Sequence, residues 1–436
     1  ELLTFIIKKK IVDFNYKTHY NPILSDAGFH NNLVYRVKKI SSIDQAHDYI
    51  KTLGEIPNFV KQNIKLISKG IEMGISQPKI IFEGYNTTYD KHITPSYKSN
   101  FYYSPFLKLP NSIPNYIKDS LQVLAANIIM DSVVPSFKKI KYFFEYAYFS
   151  CTWSTFGVSQ TPNAEVEKIK KQMFKVISEV KFQGDFKEFL SFLRTNKKFY
   201  ASSPNELLVH ARDIAKRLDE QLPRFFKHLP RQPYGVAPVP LAIAPKYTGG
   251  RYIPAPKDGA IPGFYWVNTY NLPSRPLFNI PALTAHEAVP GHHLQGALNK
   301  ELPESVPRAR KEVYQSAFGE GWGLYSELLA EEMGIYTTPY EKFGQLSYSM
   351  WRACRLVVDT GIHSFNWTRE QAIEYMFNNT ALSEHEINTE VDRYISWPGQ
   401  ALSYKIGELK IVELRKEAEE KLKEKFNIRD FHESIL

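Results

Sequence analysis

Residues 283–295 read Leu-Thr-Ala-His-Glu-Ala-Val-Pro-Gly-His-His-Leu-Gln. A His-Glu pair is followed, six and seven places on, by two adjacent histidines. Neutral imidazole is a good zinc ligand, and a carboxylate beside it can take a proton from metal-bound water. His286 is therefore a candidate ligand and Glu287 a candidate general base. The usual zinc-protease helix places its second histidine at i+4, one turn from the first, and this chain departs from that. In an unbroken helix, i+6 lies about 240° round from i, while i+7 rises about 10 Å along the axis. Pro290 removes an intrahelical bond, and Gly291 relaxes the backbone beside it. A local bulge or kink that absorbs the extra residues would swing His292 back beside His286. His292 is favoured on that geometry, with His293 as the competing ligand.

A catalytic zinc needs a third protein ligand and an open position. Glu320, in Phe-Gly-Glu-Gly-Trp-Gly (318–323), is the best donor. Each glycine there costs a helix about 1 kcal/mol against alanine. Close packing of a second helix would offset that and bring Glu320 to the imidazoles. Glu327 shares the face and can orient a histidine from behind. A developing oxyanion also needs a donor. The candidates are His363, Arg393, Tyr394 and Tyr404, with Asp359 as a supporting carboxylate or a simple cap.

These residues need a scaffold. The chain has 436 residues, 43% hydrophobic and 23% charged, which suits a large soluble core. Apolar residues recur at helical spacing over 43–75, 111–149, 162–181 and 204–228, with Ser203-Pro204 as a capped helix start. Residues 229–282 are rich in proline and glycine. Within them, 263–269 (Gly-Phe-Tyr-Trp-Val-Asn-Thr) has strand composition. From 282 onward the pattern is helical again, over 282–297, 306–333, 339–361, 368–378, 383–395 and 398–425. The expected fold is mainly α, with a small β subdomain just before the metal-binding helix. Its regions are 1–228, 229–282 and 283–436. An exposed edge of the strand 264–268 would accept an extended peptide as a further strand, with Asn268 and Tyr394 as substrate contacts.

The net charge of +9 is spread over many lysines, such as Lys8–Lys10 and Lys138–Lys141, and no nucleic-acid partner is expected from it. Two cysteines, Cys151 and Cys354, exclude a disulfide framework. No run of 18 apolar residues occurs, so no transmembrane segment is expected.

The segments 265–268, 283–295, 319–327, 359–363, 391–394 and 398–407 resemble the bacterial DUF885 family, a domain of unknown function. The resemblance spans nearly the whole chain and is densest from residue 229 onward. That family looks related to the mostly helical gluzincin metallopeptidases. The resemblance implies a zinc peptidase with His286, His292 or His293, and Glu320 as ligands and Glu287 as base. It implies a cell-envelope or periplasmic location, since members are often exported or lipid-anchored, with the cytoplasm as the alternative. It also implies further residues ahead of Glu1, a shortened stretch at 151–163 and a clipped end at Leu436. Gly323 stands where gluzincins often carry alanine. The expected function is zinc-dependent hydrolysis of peptides. The alternatives are a non-catalytic peptide- or metal-binding envelope protein, and a zinc hydrolase of non-peptide amides or esters.

Overall fold

The computed structural model describes residues 2–15, 17–25, 27–73, 75–152, 164–256 and 261–436. It divides into two compact units, Glu1–Phe156 and Gly157–Leu436. The division lies well before residue 229, so the segment 164–228, read above with the N-terminal region, belongs to the second unit. The expected shortening at 151–163 falls largely outside the described residues.

The first unit is helical. Its α-helices are α1 (Leu2–Asn15), α2 (Ile43–Gly54), α3 (Ile56–Glu72), α4 (Asn115–Ile128) and α5 (Val134–Phe143), joined by short 3-10 turns. Pro57 separates α2 from α3 without harm, because it falls in the first turn of α3, where no intrahelical donor is lost. A π turn at Ile129–Val133 joins α4 to α5. The continuous helical run Asn115–Cys151 is long and apolar enough, by length and composition, to cross a membrane. Charged residues such as Lys118, Asp119 and Asp131 interrupt it, so it contains no unbroken apolar run of 18 residues. It serves as a core helix of the unit, burying Leu121, Ala125, Ile129, Phe137, Ile140 and Phe144.

His30 and His92 are buried in this unit against aromatic rings, His30 beside Tyr85 and Phe144 and His92 beside Phe137 and Tyr102. Burial, with a smaller contribution from the nearby Lys91 charge, pushes both imidazoles down to about 3. Unfolding restores an ordinary affinity, near 6.5, so below that pH the unfolded chain binds up to two more protons than the folded one. Stability is thus lost as pH falls from 6.5 toward 3, at up to about 2.7 kcal/mol per pH unit for the pair. Denaturant titrations of the full chain between pH 7.5 and 4.5 are expected to show this slope. His293 and His432, which burial pushes down to about 4, add to the slope in the same range, so His92→Phe is expected to reduce it by about a quarter, and an unchanged slope refutes the assignment.

The second unit carries the candidate chemistry. It opens with α6 (Ala164–Glu179), α7 (Phe186–Thr195) and α8 (Pro204–Phe225). Ser203 caps α8 through the Glu206 N–H, and Pro204 occupies its first turn. A three-stranded sheet follows, with β1 (Tyr234–Pro238), β2 (Gly250–Ile253) and β3 (Gly263–Val267) in the order β1-β3-β2. β1 runs parallel to β3 and β2 antiparallel to it. The strand expected to offer a free edge is therefore the central one, paired on both sides. Its alternate residues Gly263, Tyr265 and Val267 are buried.

The remaining helices are α9 (Ile280–Glu287), α10 (His292–Glu301), α11 (Arg308–Glu312), α12 (Ser316–Glu332), α13 (Pro339–Phe365), α14 (Arg369–Asn379), α15 (Glu384–Ser396), α16 (Ser403–Leu422) and α17 (Ile428–Ile435). The fold is mainly α, as the periodicities require. α13 forms the axis: its residues from Phe343 to Arg355 are buried without interruption, and α6, α9, α14, α15 and α16 pack round it. A helix covered on all sides has no polar face, so its charged residues must find partners inside. Capping boxes at Thr338/Glu341 and Thr368/Gln371 fix the starts of α13 and α14.

Candidate metal centre

The stretch expected to be one kinked helix is two helices. α9 ends at Glu287, and α10 begins at His292 after a turn through Val289-Pro290, which is cis, and Gly291. Gly291 lies so close to the last turn of α9 that a Cβ there would meet the carbonyl oxygens of Ala285 and His286. Only glycine fits that approach. The turn folds the start of α10 back, and the His286 and His292 rings stand nearly perpendicular, 4.8 Å between centres.

α12 supplies the acid. The Glu320 carboxylate oxygen Oε2 lies 3.3 Å from His292 Nε2 and 3.6 Å from His286 Nε2. The ligand atoms of His286, His292 and Glu320 all fall within 4.8 Å of one another. The glycines around Glu320 explain how. A side chain on Gly321 would strike the Gly407 backbone of α16, and one on Gly323 would strike the His286 ring at 2.7 Å. The expected close helix contact is thus present, and the space at Gly323 is filled by the first imidazole.

The electrostatics call for a cation. Among the described residues, the buried Glu320 Oε2 meets these two imidazole nitrogens and no well-formed hydrogen bond. Glu327 Oε1 takes the other side of His286, 2.8 Å from Nδ1. Burial alone would lower the His286 pKa, but Glu320 and Glu327 together raise it to about 10. The same imidazoles, acting against burial, hold Glu320 well below the usual carboxylate range. Two imidazole nitrogens and one carboxylate oxygen converging on a point are a zinc donor set. The site therefore fits a divalent cation held by His286, His292 and Glu320.

Glu287 is buried and accepts the Tyr252 N–H of β2 at 2.7 Å. Its charge reaches His286 and the Tyr314 hydroxyl. β2, rather than β3, is thus the strand whose outer edge faces the candidate base. His293 points the other way: it is buried between Tyr234 and Tyr252, bonds the Tyr252 hydroxyl at 3.1 Å, and burial lowers it to about 4. The alternative ligand is a core residue.

Of the proposed oxyanion donors only Tyr404 lies at the site, its ring stacked 6.1 Å from that of His286. The others belong elsewhere. His363 bonds the Tyr394 carbonyl oxygen. The Tyr394 hydroxyl is buried and accepts from Trp351 Nε1 and Arg355 Nε, so it does not face a substrate. Arg393 lies beside Glu390 and Trp397. Asp359 accepts the Gly399 N–H with both oxygens and so secures the turn that leads to Tyr404, one step removed from the imidazoles. Asn268 is wholly buried and donates to the carbonyls of Ala244, Tyr247 and Thr248, so it clamps its own loop and not a peptide.

Residues 157–436 match the model of a family described as bacterial protein of unknown function (DUF885). The chain belongs to the DUF885 family. The match begins at the first residue of the second compact unit. No curated protein matches the chain. Among solved structures, it is similar to a "putative lipoprotein" from Colwellia psychrerythraea, with 29% identity and a TM-score of 0.84 over 91% of this chain and 74% of that one. A second protein of that description and of unknown function, from Shewanella oneidensis, shares the fold. It has 15% identity and a TM-score of 0.60 over 99% of this chain and 83% of that one.

Three residues near the site escaped the sequence reading. Tyr252 contributes a backbone donor and a hydroxyl, which no motif announces. Tyr314 is 63% exposed, yet its hydroxyl turns inward to Glu320 Oε1 at 3.3 Å. Arg352 lies 3.2 Å from Glu327 Oε1. Its signal was present, since Arg352 and Arg355 are the two charges in the otherwise uncharged stretch 343–358, and charges so placed are buried with partners.

Proposed function

We propose that this DUF885 protein hydrolyses peptide bonds with a zinc ion held by His286, His292 and Glu320, in the manner of a gluzincin-like metallopeptidase. The observation that carries the reading is the convergence of two Nε2 atoms and an orphaned, buried carboxylate oxygen, with Glu287 alongside. Such an ion supplies Lewis acidity for a carbonyl and makes water acidic enough to ionise near neutral pH.

The chain's own groups do the rest. Glu287, held by the Tyr252 N–H, accepts a proton from the attacking water and returns it to the leaving amine. Tyr404 offers its hydroxyl to the oxygen that gains charge, with Tyr314 as a second hydroxyl at the rim. A peptide is expected to lie beside β2, whose Tyr252 N–H is taken by Glu287 and so places the base rather than pairing with the substrate. The description of the two structural neighbours supports a place in the cell envelope.

Elemental analysis of the purified chain is expected to find about one zinc per molecule, as a three-ligand site holds one ion. His292→Ala is expected to lose it, and His293→Ala to keep it. Fluorogenic peptides are expected to be cleaved, to resist cleavage with a chelator present, and to be cleaved again when zinc is restored. Bound zinc without cleavage of any peptide favours the binding-protein reading. Absence of zinc from the wild type rejects the centre.

A further inference from the structure

We propose that Arg352 is a positioning residue for the metal centre, acting through Glu327 on His286. The proposal rests on reading the three converging side chains as a metal site. Glu327 Oε1 is shared, 2.8 Å from His286 Nδ1 and 3.2 Å from Arg352 Nη2. All three residues are at most 3% exposed. The other Glu327 oxygen accepts no hydrogen bond, so the carboxylate rests on that one shared oxygen. A carboxylate so buried is costly without a paired cation. Among the described residues, Arg352 is the permanently charged group in contact with it. Fixed in place by Arg352, Glu327 orients the His286 ring through Nδ1, so that Nε2 is the atom turned toward Glu320 and His292.

Arg352 is itself fixed from several sides. Its guanidinium carbon lies 4.1 Å from the Trp351 ring centre, 4.7 Å from Tyr348 and 5.7 Å from Tyr404, the ring stacked on His286. It therefore touches both the hydrogen-bonded and the stacked neighbour of the first ligand. Arg355, one turn along α13, provides the contrast. It is as deeply buried and lies 4.2 Å from Tyr404, but its partners are Glu390 and the Tyr394 hydroxyl.

Zinc affinity of the full chain, measured by competition with a chelator, tests this without recourse to turnover. Arg352→Met is expected to weaken binding roughly 10- to 100-fold, the usual effect of losing an outer partner of a ligand. Arg352→Lys, which keeps the charge, is expected to recover most of the loss. Adding Arg352→Met to Glu327→Gln is expected to cost little more than Glu327→Gln alone, because the two act in series. Arg355→Met is expected to leave the affinity unchanged, which separates positioning from general damage to the core. Should the methionine variant not fold, Arg352→Gln, a donor without charge, takes its place. A folded Arg352→Met or Arg352→Gln variant that binds zinc as tightly as the wild type overturns the proposal while leaving the metal site standing. A wild-type chain with no zinc affinity overturns both.

Discussion

Glu287→Gln is expected to keep its zinc and lose roughly 10²- to 10⁴-fold in turnover, the range a positioned general base contributes. The substitution is nearly isosteric, and the amide oxygen still accepts the Tyr252 N–H that holds the carboxylate at 2.7 Å. What it removes is the capacity to carry a proton. Glu287 is not among the three residues whose ligand atoms converge, so metal content has no reason to change. Turnover and bound zinc must therefore separate. If both fall together, Glu287 is holding the site in shape; if neither falls, the proton goes to another group, and Tyr404 and Tyr314 become the ones to examine.

Gly321→Ala is expected to cost about 1–3 kcal/mol or more in stability, as overpacking a well-filled contact does. The new Cβ would sit 2.5 Å from the Gly407 Cα and 2.8 Å from the Glu408 nitrogen. These are backbone atoms, which cannot rotate away as a side chain can, so α12 and α16 must separate. Since Glu320 precedes Gly321 on α12, the movement also shifts the third ligand, and zinc affinity is expected to fall along with the denaturation midpoint. Ser326→Ala, farther along α12 and bonded only within its own helix turn, is a suitable comparison. Equal midpoints for Gly321→Ala and the wild type would mean that α12 and α16 do not meet backbone to backbone at this position.

The site was legible in unequal parts. Close approach to α12 could be read from the glycines at 319, 321 and 323, because a helix accepts such residues only where something replaces their side chains. The choice between His292 and His293 could not be read in the same way. It depends on how the chain turns at Pro290-Gly291, and periodicity describes only an unbroken helix. Asn268, Tyr394, His363, Arg393 and Asp359 are all polar, and all are spent on internal partners. Their partners come from loop residues 244–248, from α13 and α15, and from the turn at Gly399.

The sequence by itself determined the helical class, the cap that starts α8, and the residue types able to bind a metal. Those are local properties, written in spacing and in neighbours a few positions apart. Only the tertiary structure decided that β3 is the central strand, that His293 faces the core, and that Arg352 meets Glu327 behind His286. Each is a contact between residues distant along the chain, and the free energy that selects among such contacts comes from burial and pairing across the whole unit.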